Sequence, residues 1–187
     1  MVNSSRWKLG MQGEEVVRRW LKDQGFLVIP ASLIQSGGAP MLQGWLQQFV
    51  LPDNQAFKDG QGRWVEVKTK SRATFYLKTK IWEHGLKTKN WEDYLAVQSQ
   101  TGMAAWLCIL ELESSLVLLA TMDQLAKRAR RYIGTAMPDG QPHIFFPRDA
   151  FEWYTEPRAI TIQPITPMAP RTVTQPQAPT TRQFELF

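Results

Sequence analysis

The stretch Phe49 to Lys70, FVLPDNQAFKDGQGRWVEVKTK, is the part of the chain around which the remainder is organised. Its spacing predicts a β-hairpin. Phe49 to Phe57 forms one arm, Lys58-Asp59-Gly60-Gln61-Gly62 a glycine-rich turn, and Arg63 to Lys70 the second arm. Side chains alternate along a strand, so Val65 and Val67 face one way and Trp64, Glu66 and Lys68 the other. A carboxylate and an ammonium on one face of an otherwise apolar strand cost desolvation unless something compensates them. Pro52-Asp53 lies on the partner arm, where hairpin pairing brings the Asp53 carboxylate close to Glu66. Two neighbouring carboxylates repel each other, and a divalent cation between them removes the repulsion. Lys68 is then within reach of whatever the cation activates.

The pattern Pro52-Asp53 … Glu66-Val67-Lys68 resembles the PD-(D/E)XK nuclease superfamily. Within it, the pattern is most similar to archaeal-type Holliday junction resolvases and related small phage and plasmid nucleases. Order, hairpin spacing and a suitable upstream helix carry the resemblance, which spans roughly Lys8 to Leu119. It implies an α/β fold: a single three-layer restriction-endonuclease-like domain over residues 1–156, with a central mixed β-sheet flanked by helices. It also implies a Mg2+-dependent DNA endonuclease, with Mn2+ as a substitute, that hydrolyses phosphodiester bonds to leave a 5′-phosphate. The substrate class is DNA, branched DNA by closest resemblance, and a homodimer is the assembly that cuts two strands symmetrically. Asp53 and Glu66 would bind the metal, joined by the Val67 carbonyl. Lys68 would orient or deprotonate the attacking water and offset charge growing on the phosphate. The segment Gly10-x-x-Gly13-Glu14 resembles the family's first-helix glutamate, so Glu14 would hold a metal-bound water or a second ion. Two other readings use the same residues: a catalytically inactive DNA-binding clamp adaptor, and a restriction-type or exonucleolytic nuclease.

The whole chain is consistent with one domain and a sizeable core: 187 residues, 43% hydrophobic and 11% aromatic. A net charge of +5 and a pI of about 9.5 suit a polyanionic partner. The single cysteine, Cys108, lies in the apolar run Trp106 to Leu110 and has no partner for a disulfide. A reducing compartment and a buried core thiol follow as expectations. The N-terminus has no apolar signal region, and no run reaches transmembrane length, so a soluble, cytoplasmic, nucleoid-associated protein without a membrane partner is expected.

Taken in order, Trp7 to Gln24 reads as a helix capped by Asn3, Ser4 or Ser5 and stopped by Gly25. Leu9, Val16, Val17, Trp20 and Leu21 share its apolar arc. Glu14 falls at the edge of that arc, and Glu15 on the opposite side, four residues before Arg19. Phe26 to Ala31 reads as a strand. Ser32 to Gly44 reads as a long loop that could contact DNA or close over the site. From Lys58 to Lys89 basic residues dominate and aromatics interleave, which suits a phosphate-tracking surface. Lys70, Arg72, Lys78, Lys80, His84, Lys87 and Lys89 are its candidate contacts; for His84 the alternatives are a scissile-phosphate contact and a plain surface imidazole. Trp91 to Gln100 reads as a second helix with Asn90 as cap and Gly102 as stop, Tyr94 being half-buried packing. Met103 to Glu111 and Leu116 to Thr121 read as strands, Met122 to Tyr132 as a third helix, and His143 to Pro147 as an edge strand. The cluster Lys127, Arg128, Arg130, Arg131 is either a second DNA contact or a solvated helix face. Phe151, Trp153 and Tyr154 are expected to close the core.

After Glu156 the composition changes. Residues 157–182 are rich in Pro, Thr and Gln and read as a disordered linker, reaching several tens of Å at about 3.1 Å per residue. The chain closes on Gln183-Phe184-Glu185-Leu186-Phe187. This resembles the peptide by which bacterial polymerases and repair proteins bind the sliding clamp. That implies Gln183, Phe184, Leu186 and Phe187 as clamp contacts, with Leu186 and Phe187 burying apolar area. The alternative is a tail folded back on its own domain.

Overall fold

The computed structural model describes residues 4–33, 39–44, 46–132 and 140–155. Helix α1 (Ser4–Asp23) buries Val16, Val17, Trp20 and Leu21 along the expected arc. Gly25 stops it at φ 85°, where Gly25 and Phe26 donate their N–H groups back to the Lys22 and Leu21 carbonyls. Ser4 and Ser5 are the first two residues of the helix itself. Asn3 is outside the described residues.

Strand β1 (Leu27–Pro30) follows. The expected loop of residues 32–44 instead holds a short strand, β2 (Met41–Gln43), which pairs with β3 (Gln48–Val50) as a separate two-stranded sheet. The expected first arm of the hairpin is therefore interrupted. Leu51-Pro52-Asp53 separates β3 from β4 (Asn54–Lys58), because Pro52 has no N–H to give to a ladder. The hairpin proper is β4 with β5 (Gln61–Lys70), in register from Lys58↔Gln61 to Asn54↔Val65. Its turn is the two-residue Asp59-Gly60, both at positive φ (52° and 73°), the geometry that matches the twist of the flanking strands.

The chain continues through β6 (Thr74–Tyr76), β7 (Ile81–Lys87), α2 (Thr88–Thr101), β8 (Ala104–Glu111) and β9 (Leu116–Thr121). It ends with α3 (Met122–Ala126), β10 (Arg130–Tyr132), β11 (His143–Pro147) and β12 (Glu152–Thr155). The central sheet has the order β1-β4-β5-β8-β9-β12 and is mixed: β5 and β8 run parallel and the other neighbours antiparallel. A four-stranded sheet, β10-β11-β7-β6, stands apart from it.

Three layers result. The face carrying Val65, Val67, Cys108 and Val117 packs on α1. The other face, with Trp64, Leu107, Ile109 and Leu118, packs on α2, α3 and the inner residues of the small sheet. Gly13 sets the approach of α1 to β5: a Cβ there would stand 1.7 Å from Thr69 Oγ1. Cys108 is fully buried, as expected of a core thiol, and burial pushes its thiol well up.

Several boundaries differ from the sequence reading. Helix α2 begins at Thr88, so Asn90 lies within it and not at its cap. The third helix is a short one that stops at Ala126, although Thr121 and Gln124 form a full capping box at its start. Long-range partners then take the chain into β10, where Arg130 pairs with Glu83 and lies over the Tyr76 ring. Strand β11 sits between β10 and β7, not at an edge. Phe151 closes the core as expected, whereas Trp153 is about half exposed. No helix among the described residues is long and apolar enough to cross a membrane.

Candidate active site at the open end of β4 and β5

Strand β4 stops at Asn54, opposite Val65, while β5 runs on to Lys70. Past that end β5 has no strand partner on the β4 side among the described residues. The Asp53 side chain takes the vacant place: Oδ2 accepts the Val67 N–H at 2.8 Å. The Asp53 carbonyl in turn accepts the Ala31 N–H at 2.8 Å, which anchors the aspartate backbone. Continuing the register by one step sets Asp53 opposite Glu66, on the same face. Since N–H and C=O of one residue leave a strand on the same side, the Val67 carbonyl opens toward this free edge as well.

Glu66 is 1% exposed and is hydrogen-bonded through Oε1 to the Lys68 ammonium; its other oxygen, Oε2, is buried. Tyr94 is buried on α2 above it. Its hydroxyl receives a 3.4 Å hydrogen bond from Asn90 Nδ2 and faces the Glu66 charge. The charges act on one another. Burial, then the Glu66 charge, holds the Asp53 carboxyl well above the usual carboxylate range, against the opposing pull of Lys68. Burial alone would lower Lys68, but Glu66 and Asp53 prevail and hold it above its ordinary value, as an ammonium. Tyr94 is raised by burial first and then by Glu66, and stays a neutral phenol.

Glu14 stands at the rim. Its carboxyl is raised by burial and by Glu66, while Arg18, 3.6 Å away, pulls it down. Glu15 is exposed as expected, but its tighter partner is Arg18 at 2.9 Å, with Arg19 at 3.9 Å. Among the described residues no three His, Cys, Asp or Glu side chains come together to hold a metal ion. Of the three expected carboxylates, Glu14 lies beside Arg18 and acts through its charge on Asp53 and Lys68, and Asp53 and Glu66 stand at the strand end itself. The two fit a hard cation even so. One buried carboxylate is raised by the other, Glu66 has an oxygen outside its Lys68 pair with the Tyr94 hydroxyl acting on the carboxylate, and a backbone carbonyl opens to the same edge. Mg2+ commonly takes one or two carboxylates and completes its shell with water or phosphate oxygens.

No family model matches this sequence, and no curated protein matches it. Among solved structures, it is similar to Hjc of Archaeoglobus fulgidus, a Holliday junction resolvase from an archaeal hyperthermophile. The TM-score is 0.50 at 13% identity, over 76% of this chain and 86% of that one. The likeness is one of fold. A second similar structure is D212, a nuclease from a fusselovirus, with TM-score 0.41 and 6% identity, over 81% of this chain and 87% of that one.

The basic candidates divide among several elements. Lys70, half-buried at the end of β5, is lowered by burial and by Lys68. Arg72 is exposed and 3.8 Å from Glu113. Lys78 and Lys80 are exposed in the β6–β7 turn. Lys87 and Lys89 lie at the start of α2, where Lys89 pairs with Asp93 at 2.9 Å. His84 needs correction: it is 2% exposed, neither on the surface nor open to a phosphate. Its Nε2 lies 2.7 Å from Glu111 Oε1, and burial lowers its pKa. Glu111, opposed by burial but bonded by Arg148, Ser114 and His84, is held down at about 2. The cluster at 127–131 is not a free helix face, since Arg128 pairs with Asp149 and Arg130 with Glu83. Gln98 is also spent on structure, accepting the Ala105 N–H and donating to Asp123. Tyr94 was expected to be half-buried packing; its full burial follows from the spacing Trp91, Tyr94, Val97 once α2 starts at Thr88. The linker and the terminal peptide 183–187 lie outside the described residues.

Proposed function

We propose that this chain is a Mg2+-dependent deoxyribonuclease that hydrolyses phosphodiester bonds in branched DNA. The observation that carries the reading is the grouping of Asp53, Glu66 and Lys68 at the open end of β4 and β5, within a fold shared with a resolvase. Asp53, Glu66 and the Val67 carbonyl would hold the metal. A bound Mg2+ supplies Lewis-acid polarisation of the phosphate and an acidified water. Lys68, beside Glu66, suits orientation or deprotonation of the water and neutralisation of charge on the phosphate. Tyr94 and the packing of α2 restrict Glu66, while Glu14 and Arg18 border the entrance. The overall positive charge favours the polyanion. The reading extends to a homodimer in the cytoplasm, recruited to a sliding clamp through Gln183, Phe184, Leu186 and Phe187.

The test is a panel of labelled four-way junction, flap, nicked, single-stranded and linear duplex DNA, with Mg2+ or with EDTA. Cleavage is expected with Mg2+ alone and fastest on a branched form. Lys68→Ala is expected to lose about a hundredfold or more in rate while still binding DNA. Unchanged cleavage by that variant refutes the assignment.

A further inference from the structure

The β6–β7 hairpin has two faces with opposite fates. On one, Thr74 pairs across to Glu83 and Tyr76 to Ile81; Glu83 is buried against Arg130, and Arg130 covers Tyr76. On the other face Phe75 lies opposite Trp82, with ring centroids 5.0 Å apart. Further in, this face is closed, because His84 is buried against Glu111 and Phe151. One step outward it opens, and Phe75 and Trp82 are 40% and 47% exposed. Trp82 forms one wall of a cleft of about 350 Å³, whose other walls include Arg72, Glu113 and Arg148. Such aromatic exposure on a strand hairpin is a solubility liability unless something covers it.

We infer that Phe75 and Trp82 form a stacking platform for an unpaired DNA base, flanked by Arg72, Lys78 and Lys80 as phosphate contacts. The inference rests on the nuclease reading for the identity of the polymer and deepens it by naming unpaired nucleotides as part of the substrate. Three observations select this occupant. The buried acids nearby are committed: Glu111 to Arg148 and His84, and Glu83 to Arg130. The Arg72 pair with Glu113 joins two exposed groups at 3.8 Å and is readily exchanged for a phosphate. Lys78 and Lys80, both exposed, extend the positive rim around the hairpin turn. Continuity supports the same occupant. β5 leads from Lys68 into Arg72 within four residues, at most about 14 Å, a reach of a few nucleotides. An aromatic face stacks on any base, so the platform reads strand separation and not sequence.

The test measures equilibrium binding of the full chain in EDTA, where no cleavage occurs, to labelled oligo(dT) and to a blunt duplex. Trp82→Ala is expected to weaken oligo(dT) binding about tenfold and to change duplex binding by no more than about twofold. Trp82→Phe is expected to retain most of the affinity, and Leu27→Ala, exposed on the edge strand β1, to change neither. Equal loss on both DNAs, or no loss on oligo(dT), overturns the platform. So does a switch from dimer to monomer in Trp82→Ala with unchanged DNA affinity, which assigns the face to a second copy of the chain. Absence of Mg2+-dependent cleavage by the wild type with this binding pattern intact retires the nuclease and leaves the platform standing.

Discussion

Asp53→Asn separates the electrostatics of the site from its packing. The substitution is isosteric and keeps an acceptor for the Val67 N–H, so it removes one buried charge and little else. Opposed positions on antiparallel strands place side-chain bases about 5 Å apart. At an effective dielectric of about 20, two carboxylates at that separation repel by about 3 kcal/mol. Lys68 offsets much of this in the wild type, and the neutral amide makes a hydrogen bond weaker by about 1 kcal/mol. The net expectation without a divalent ion is a gain of about 1 kcal/mol, seen as a melting temperature higher by about 2–4 °C. The sign depends on pH. Because the folded Asp53 pKa lies above the unfolded 3.8, the native state holds a proton that the unfolded chain has lost. That contribution to stability falls as pH rises through the interval and levels off above the folded value. The advantage of the variant should therefore be largest at pH 8 and shrink toward pH 4. Added Mg2+ should raise the melting temperature of the wild type, by about 1.4 kcal/mol equivalent at ten times its dissociation constant, and leave Asp53→Asn nearly unmoved. Thermal scans in EDTA and in Mg2+ at both pH values decide it. A variant less stable than wild type in EDTA at pH 8, or one with the wild-type response to Mg2+, refutes the reasoning.

Three further outcomes are expected. Lys68→Ala leaves Glu66 buried without its cation and should cost about 2 kcal/mol in urea unfolding, discounted for the partial exposure of the ammonium. Adding Glu66→Gln should recover most of that loss, and strict additivity of the two would argue against a coupled pair. Gly13→Ala should destabilise by about 1–3 kcal/mol, because its Cβ meets Thr69 Oγ1, and Thr69→Ala should relieve part of it. Gly10→Ala, with open space around its Cβ, should instead gain about 0.5–1 kcal/mol, and equal effects at the two glycines would contradict the packing of α1 on β5. Deleting residues 183–187 should abolish co-elution with a bacterial-type sliding clamp in gel filtration, and undiminished co-elution assigns the tail another role.

The hairpin was legible because its signals are local. Asp59-Gly60 sets the turn, and two-residue alternation sets the faces, so Glu66 and Lys68 could be placed beside Trp64 and opposite Val65 and Val67. The arc of α1 and strand β9 were legible for the same reason. The break at Pro52 was less so. Its consequence, a strand end where Asp53 caps the Val67 N–H, depends on β3 finding a partner in β2. His84 was misplaced because nothing near it in sequence reveals Glu111, twenty-seven residues away. The third helix was overextended because its basic residues look solvated until Glu83 and Asp149 are brought to them.

By itself the sequence determined a strand pair with two acids and a lysine on one face, a basic balance, and an apolar helix to cover the opposite face. Those properties follow from backbone periodicity and turn chemistry, which act over a few residues. Tertiary structure alone decided that Asp53 and Glu66 share the open strand end while Glu14 pairs with Arg18 beside it, that Tyr94 is buried over Glu66, and that Trp82 faces solvent while His84 does not. Each depends on which distant surface arrives to exclude water or supply a counter-charge, and sequence spacing carries no information about that arrival.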